Sequence, residues 1–181
     1  MSLNKPNKTM HKRSLMTSAS LALLLLAGSL HSTTALAAED EPDKEWREVE
    51  AQLPAAPKNE NLLPFYQSGS MQFFIDATSL SIASDGTIRY TLVASSSAGA
   101  RNVSYEGIRC ATYEKKLYAF GRSDGTWSRS RRDEWDKISQ TGANKQHHNL
   151  FTEYFCEGNT IAGKANSILD RLRGKRTLYG R

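Results

Sequence analysis

The residues able to do chemistry in this chain are carboxylates at Asp76, Glu106 and Asp133, paired histidines at His147 and His148, serines at Ser95 to Ser97, and two cysteines, Cys110 and Cys156. Two carboxylates facing each other within about 10 Å across a cleft would suit glycoside hydrolysis. Sequence spacing alone does not bring these three together. A nucleophilic serine in an elbow needs a glycine two positions away on each side, and no serine of the run has both. It is expected to be a flexible hairpin loop. Adjacent histidines diverge in direction on either a helix or a strand, so they do not form the spaced pair of a zinc protease. They are expected to be solvated, on a loop or a helix start. No catalytic, cofactor-binding or metal-ligating residue is therefore assigned and no cofactor is expected. The expectation is a protein that is not an enzyme, with a carboxylate hydrolase as the alternative.

A different chemistry is offered by "WSRSRR". If this stretch is extended, Trp127, Arg129 and Arg131 share one side, because side chains alternate along a strand. Arg129, Arg131 and Arg132 are candidate anion-binding residues, since guanidinium forks match phosphate and carboxylate oxygens. Competition for them comes from Asp133, Glu134 and Asp136, which follow immediately.

The N-terminus bears on location. Lys5, Lys8, Lys12 and Arg13 precede an apolar stretch from Leu15 to Leu30, and Ala35-Leu36-Ala37 satisfies the small-x-small rule. This pattern predicts a signal peptide over residues 1–37, cleaved between Ala37 and Ala38. The apolar stretch is shorter than the roughly 20 residues of a spanning helix, so no transmembrane span is expected after processing. No cysteine stands at the cleavage point to take a lipid. The expected location is the periplasm.

Export places Cys110 and Cys156 where disulfides persist, and neither belongs to a C-x-x-C pair. One structural bridge is predicted, closing a loop long enough to stabilise the fold by about 4 kcal/mol on the chain-entropy model. Processing also removes four of the 24 basic residues and none of the 19 acidic ones. The near-neutral remainder argues against nucleic acid as a partner. Residues 38–60 hold eight acids and three bases, and residues 61–181 hold eleven acids and seventeen bases. An acidic, proline-containing lead-in over 38–60 thus precedes a basic body, with a basic tail at 176–181. The partner is left unknown, anionic envelope material or another envelope protein being the candidates.

The body, residues 45–175, reads as one α+β domain with a single antiparallel sheet covered on one face by C-terminal helices and held by one disulfide. Before it, Trp46 is expected to anchor the lead-in, with a short helical turn preceding Pro54 and Pro57. "MQFFIDATSLSI" is a strand ending at the turn Asp85-Gly86. Ile88, Tyr90 and Leu92 then alternate with Arg89, Thr91 and Val93, as in a half-exposed strand. In "NVSYEGIRC" the apolar parity slips between Tyr105 and Ile108, and a bulge at Glu106-Gly107 would restore it. "LYAFG" follows as a strand, and Asp124-Gly125 turns the chain. Ser130 with Asp133 resembles a capping box, which predicts a helix from Arg131 to Ile138 with Trp135 and Ile138 inward. Leu150, Phe151, Tyr154 and Phe155 fall at helical offsets. A last helix capped by Thr160 would bury Ile161, Ala165, Ile168, Leu169 and Leu172, with Gly174 just beyond its end.

"RYTL", the small-residue run after it, "NVSYEGIRC", "YAFG", "DGTW", Trp135 and the terminal "FC" together resemble the cryptic neisserial protein family of exported proteobacterial proteins. The resemblance covers most of residues 45–175. It implies an envelope or periplasmic location and supplies no catalytic residues. Members are often described as lipoproteins, and this sequence lacks the cysteine that such an anchor requires.

Overall fold

The computed structural model describes residues 45–142 and 145–180. The predicted signal peptide and its Ala37/Ala38 cleavage point lie outside the described residues. An antiparallel sheet in the order β1-β2-β4-β5-β6-β7 dominates, with β3 paired to β4 and β8 to β6. Its strands are β1 Leu62–Ser68, β2 Met71–Asp76, β3 Ser81–Ile82, β4 Thr87–Ser96, β5 Arg101–Arg109, β6 Glu114–Gly121, β7 Trp127–Arg129 and β8 Asp136–Lys137. After it come α1 Lys145–Asn149, a π-helix Leu150–Phe155, the hairpin β9 Cys156–Glu157 with β10 Thr160–Ile161, and α2 Ala165–Gly174. The fold class is α+β, as the residue patterns predict.

The hairpin β4–β5 forms the centre. Small residues make its turn, where Gly99 takes φ 88° and its N–H donates to the carbonyl of Ser96 at 3.0 Å. Tyr90 lies opposite Glu106 and Ile88 opposite Ile108 in an unbroken register. The expected bulge at Glu106-Gly107 is absent from β5. The slip lies instead on β6, where Tyr105 faces Ala119 but Glu106 faces Leu117, leaving Tyr118 as the extra residue. The apolar parity changes because both faces of the sheet are covered. Ile108 belongs to the helix-side core, and Tyr105 to a second core with Tyr118, Ala119 and Ala51. Gly107 has a separate cause: a Cβ there would sit 2.8 Å from the Tyr118 hydroxyl. Two-sided burial also corrects the half-exposed assignment of β4, since Arg89, Thr91 and Val93 are all buried.

On the helix side Ile75, Ile88, Tyr90, Leu92 and Ile108 meet Leu150, Phe155, Ile168 and Leu172. Tyr90 packs edge-on against Phe155 at 5.2 Å between centroids, a favoured aromatic geometry. Cys110 and Cys156 are bonded and buried, with Cα atoms 5.6 Å apart, tying the end of β5 to the end of the π-helix. Arg171 of α2 adds a polar tie, donating from Nη2 to the carbonyl of Tyr154 at 2.9 Å.

Several expected boundaries move. The strand predicted through residues 71–82 is broken after Asp76, whose carboxylate accepts from the Thr78 hydroxyl at 2.9 and 2.8 Å. Such local side-chain bonds compete with the ladder. No helix forms over 131–138. The Ser130 hydroxyl turns back on Arg132, accepting from its N–H at 3.2 Å, and β8 pairs with Glu114 and Lys115 of β6. Trp135 and Ile138 still reach the body, on opposite faces of the sheet, because they stand three positions apart on either side of the extended strand β8. Thr160 does not cap α2: it lies in β10 and its hydroxyl donates to the carbonyl of Glu157 at 2.9 Å. Ile168, Leu169 and Leu172 are buried, whereas Ile161 and Ala165 are half-buried. Gly174 is the last helical residue, and Lys175 takes the left-handed cap at φ 47°. The tail after it includes Arg176, whose N–H donates to the carbonyl of Arg171 at 2.9 Å.

Replacing Cys110 with Ser is expected to lower unfolding free energy by about 2–5 kcal/mol. Ile168→Ala, which opens a cavity in the same core, is expected to cost about 2–5 kcal/mol. Urea titration followed by circular dichroism measures both; unchanged midpoints would contradict the core described above.

Candidate functional site

The groups with acid, base or ion-pairing capacity gather on the two faces of β4, β5 and β6. On the helix side, Glu106 is inside the protein. Its Oε2 accepts from the Tyr90 hydroxyl at 3.2 Å and lies 2.7 Å from His147 Nε2, while Oε1 accepts from Ser104 at 2.6 Å. Register explains the meeting: Ser104 and Glu106 are two apart on β5, and Tyr90 faces Glu106 across the pair. His147 comes from α1. Burial pushes the Glu106 carboxyl up, but His147 and the Ser104 hydroxyl outweigh it and hold the group below the ordinary carboxylate range. Burial first, and then that carboxylate, push the Tyr90 hydroxyl well above its ordinary value. His147 Nδ1 is buried without a hydrogen-bond partner among the described residues.

The histidines therefore depart from expectation. His147 is buried and not solvated, and His148 is half-buried with Nδ1 at 2.5 Å from the Tyr113 hydroxyl. Helix α1 turns both toward the protein. Their adjacency in sequence gave no sign of this, since Glu106 lies 41 positions away. Neither Asp76 nor Asp133 joins Glu106: Asp76 bonds to its own loop, and Asp133 pairs with Lys116 on the other face. Among the described residues no group of three or more His, Cys, Asp or Glu side chains is placed to hold a metal ion.

The opposite face carries a strap. Residues 45–58 run without regular structure, so the expected helical turn before Pro54 does not form. The two prolines favour extended backbone on their N-terminal side. A first polar anchor of the strap centres on Asp85 and Arg89. Trp46 Nε1 donates to the carbonyl of Asp85 at 2.7 Å, and the Asp85 carboxylate accepts from the Val49 N–H at 2.7 Å. Arg89 donates to the carbonyls of Val49 and Glu50 and pairs with Asp85 at 3.1 Å. Desolvation pushes Asp85 up, but the N–H groups of Val49 and Thr87 reverse this and leave its carboxyl below the usual range.

Glu48 is the second anchor. It accepts from Lys116 at 2.7 Å, from the Tyr118 hydroxyl at 2.8 Å and from Trp135 Nε1 at 3.3 Å. Burial lowers Lys116, and the carboxylates of Asp133 and Glu48 more than restore it, so its ammonium is held above the ordinary value. Arg109 completes the face, its guanidinium 3.5 Å from the Trp46 ring centre and 5.4 Å from that of Trp135. Trp46 is the anchor its position suggested. Glu48, Arg89 and Lys116 were missed as a set, because they are separated by 27 residues or more and joined only by the fold.

The arginines of "WSRSRR" are divided. Arg129 and Arg131 are exposed, and Arg129 lies 4.0 Å from Glu50 of the strap. Arg132 pairs with Glu134 at 3.1 Å and Asp136 at 2.7 Å. Trp127, two positions before Arg129 in β7, is fixed on the strap by its Nε1 bond to the carbonyl of Pro54 at 2.7 Å.

Two outcomes follow. Because Glu106 and Asp85 are depressed in the folded state, the unfolded chain binds more protons near pH 4, so stability should be complete above about pH 4.5 and fall as pH drops further. Glu106→Gln is expected to flatten that acid limb in urea titrations and to cost about 1–3 kcal/mol at pH 7, as disrupting a buried hydrogen-bond network does. Trp46→Ala removes a cation–π contact of about 1–2 kcal/mol and should raise the rate of tryptic cleavage after Arg47 about tenfold. An unaltered cleavage rate would show that the strap is held without that ring.

Residues 41–173 match the sequence profile of the CNP1-like family. The chain is also 26% identical over 159 residues to "Cryptic neisserial protein 1" of Neisseria gonorrhoeae (strain ATCC 700825 / FA 1090), an alignment covering 78% of each chain. No solved structure matches. With the family profile spanning both the strap and the disulfide-linked core, this chain belongs to the CNP1-like family.

Proposed function

We propose that this chain is an exported, disulfide-stapled protein of the cell envelope that acts by binding and not by catalysis. Its processed form begins at Ala38 and works in the periplasm. The buried Cys110–Cys156 bond supports export, because such bonds persist in oxidising compartments. The basic segment, apolar stretch and small-x-small site of residues 1–37 supply the means. No helix among the described residues is long and apolar enough to cross a membrane.

One observation carries the non-catalytic part: the groups able to move protons are spent on internal contacts. Glu106 and His147 are buried against each other, Asp85 holds the strap, and Asp133 neutralises Lys116. A general acid or base must reach a substrate proton within about 3 Å. Glu106 and His147 face the packed core between β5 and α1, closed by Tyr90 and Ser104. The partner is another envelope protein or anionic envelope material.

Cell fractionation with intact-mass measurement and thiol titration under denaturing conditions tests this. The expected result is a protein released without detergent, with a mass starting at Ala38 and no free thiol. A mass retaining residues 1–37, a lipid adduct, or two free thiols would overturn it.

A further inference from the structure

A groove of about 520 Å³ opens where the strap leaves the sheet. Lys58 reaches it from the end of the strap, Arg101 from the start of β5, and Arg122 from the turn after β6. Among the described residues no carboxylate lines it. All three cations are exposed and none makes a salt bridge among the described residues, unlike Arg89, Arg109, Lys116 and Arg132. Arg101 is steadied by a neutral partner, donating to Asn59 Oδ1 at 2.7 Å. Asp124, beside Arg122, is taken up by Thr126, whose N–H and hydroxyl donate to its Oδ1 at 2.9 and 2.7 Å.

The floor is equally specific. Gly121 has no side chain, and a Cβ there would come within 2.8 Å of Val103 and 3.5 Å of the Trp127 ring. Gly121 thus lets Val103 pack closely beneath the groove, next to an aromatic ring that is pinned by Pro54. The volume falls in the range of about 300–1,000 Å³ typical of small-molecule sites. Two guanidinium forks and an ammonium suit phosphate, which carries a charge of about −1.5 to −2 and several acceptor oxygens. The Trp127 ring that lines the groove offers an apolar face to the body of a sugar, with Asn59, Ser123 and Thr126 beside it for its hydroxyls.

We infer that the groove bounded by Lys58, Arg101 and Arg122 is a binding site for a phosphorylated saccharide. The same chemistry is presented by a soluble sugar phosphate and by the headgroup of a phosphorylated glycolipid. This site is distinct from Arg129, Arg131 and Arg132. Its occupancy does not depend on where the protein is located, so it stands or falls separately from the export proposal.

Isothermal titration of the processed chain at low salt tests the site with glucose 1,6-bisphosphate, glucose and galacturonate. A second arm uses phosphatidylcholine vesicles with and without a phosphorylated glycolipid. Binding is expected for the bisphosphate, the glycolipid vesicles, or both, and which arm responds identifies the source. The double change Arg101→Ala, Arg122→Ala should weaken it at least tenfold, and so should Lys58→Glu, while Arg129→Ala with Arg132→Ala leaves it within twofold. Binding should also weaken as salt rises, since exposed charges are screened over about 8–10 Å. Circular dichroism establishes that each variant is folded, and Lys58→Glu keeps the test intact if the double variant is not. Failure of both arms at low salt overturns the inference. So does galacturonate or glucose binding as tightly as the bisphosphate, or a folded Arg101/Arg122 variant that binds unchanged.

Discussion

Burial of the central hairpin on both faces is the constraint from which the rest of this structure follows. An antiparallel sheet commonly leaves one face in water. Here β4 is buried from Thr87 through Val93, and its strap-side residues include an arginine, Arg89. A buried charge is tolerated only when paired and hydrogen-bonded. Arg89 therefore requires Asp85 and the strap carbonyls, and Glu106 requires His147. These two needs determine what must dock on each side.

The two faces are then secured by different physics. On the helix side, apolar packing and a covalent bond dominate, and Glu106–His147 serves mainly to place α1. A buried polar contact fixes position more than it adds net stability, because its groups were hydrogen-bonded to water in the unfolded chain. On the strap side there is little aliphatic surface, and Trp46, Arg109 and Trp135 supply packing through ring and guanidinium contacts. The strap has no backbone ladder with the sheet, so its hold depends on a few side chains and on Glu48 in particular.

The uneven charge of the chain has a structural outcome in this arrangement. Acids of the lead-in lie over bases of the body, Glu48 on Lys116 and Glu50 beside Arg129. Past Pro57 no described carboxylate lines the groove, and Asp124 beside Arg122 is taken up by Thr126. Among the described residues, no carboxylate of the lead-in pairs with the cations of the groove. The arginine cluster that stands out in sequence is neutralised in part by its own neighbours, because Glu134 and Asp136 lie two and four residues from Arg132.

Local patterns in the sequence determined much of the scaffold: the alternating strands, the Asp-Gly and Ser-Ala-Gly turns, the apolar stripe of α2 and the pairing of the only two cysteines. Each depends on interactions between residues near in sequence or, for the cysteines, on there being a single pairing. The resemblance to the family was likewise carried by short strings of residues. What only the tertiary structure decided is which face each strand covers, where the helix expected at 131–138 gives way to an edge strand, and which charges meet. Parity shows that Tyr105 and Ile108 point opposite ways, but not that a strap covers one and helices the other. His147 with Glu106, Glu48 with Lys116, and the convergence of Lys58, Arg101 and Arg122 join segments about 20 to 70 residues apart. Their partners are selected by desolvation and charge pairing in three dimensions, and neither force leaves a periodic trace along the chain.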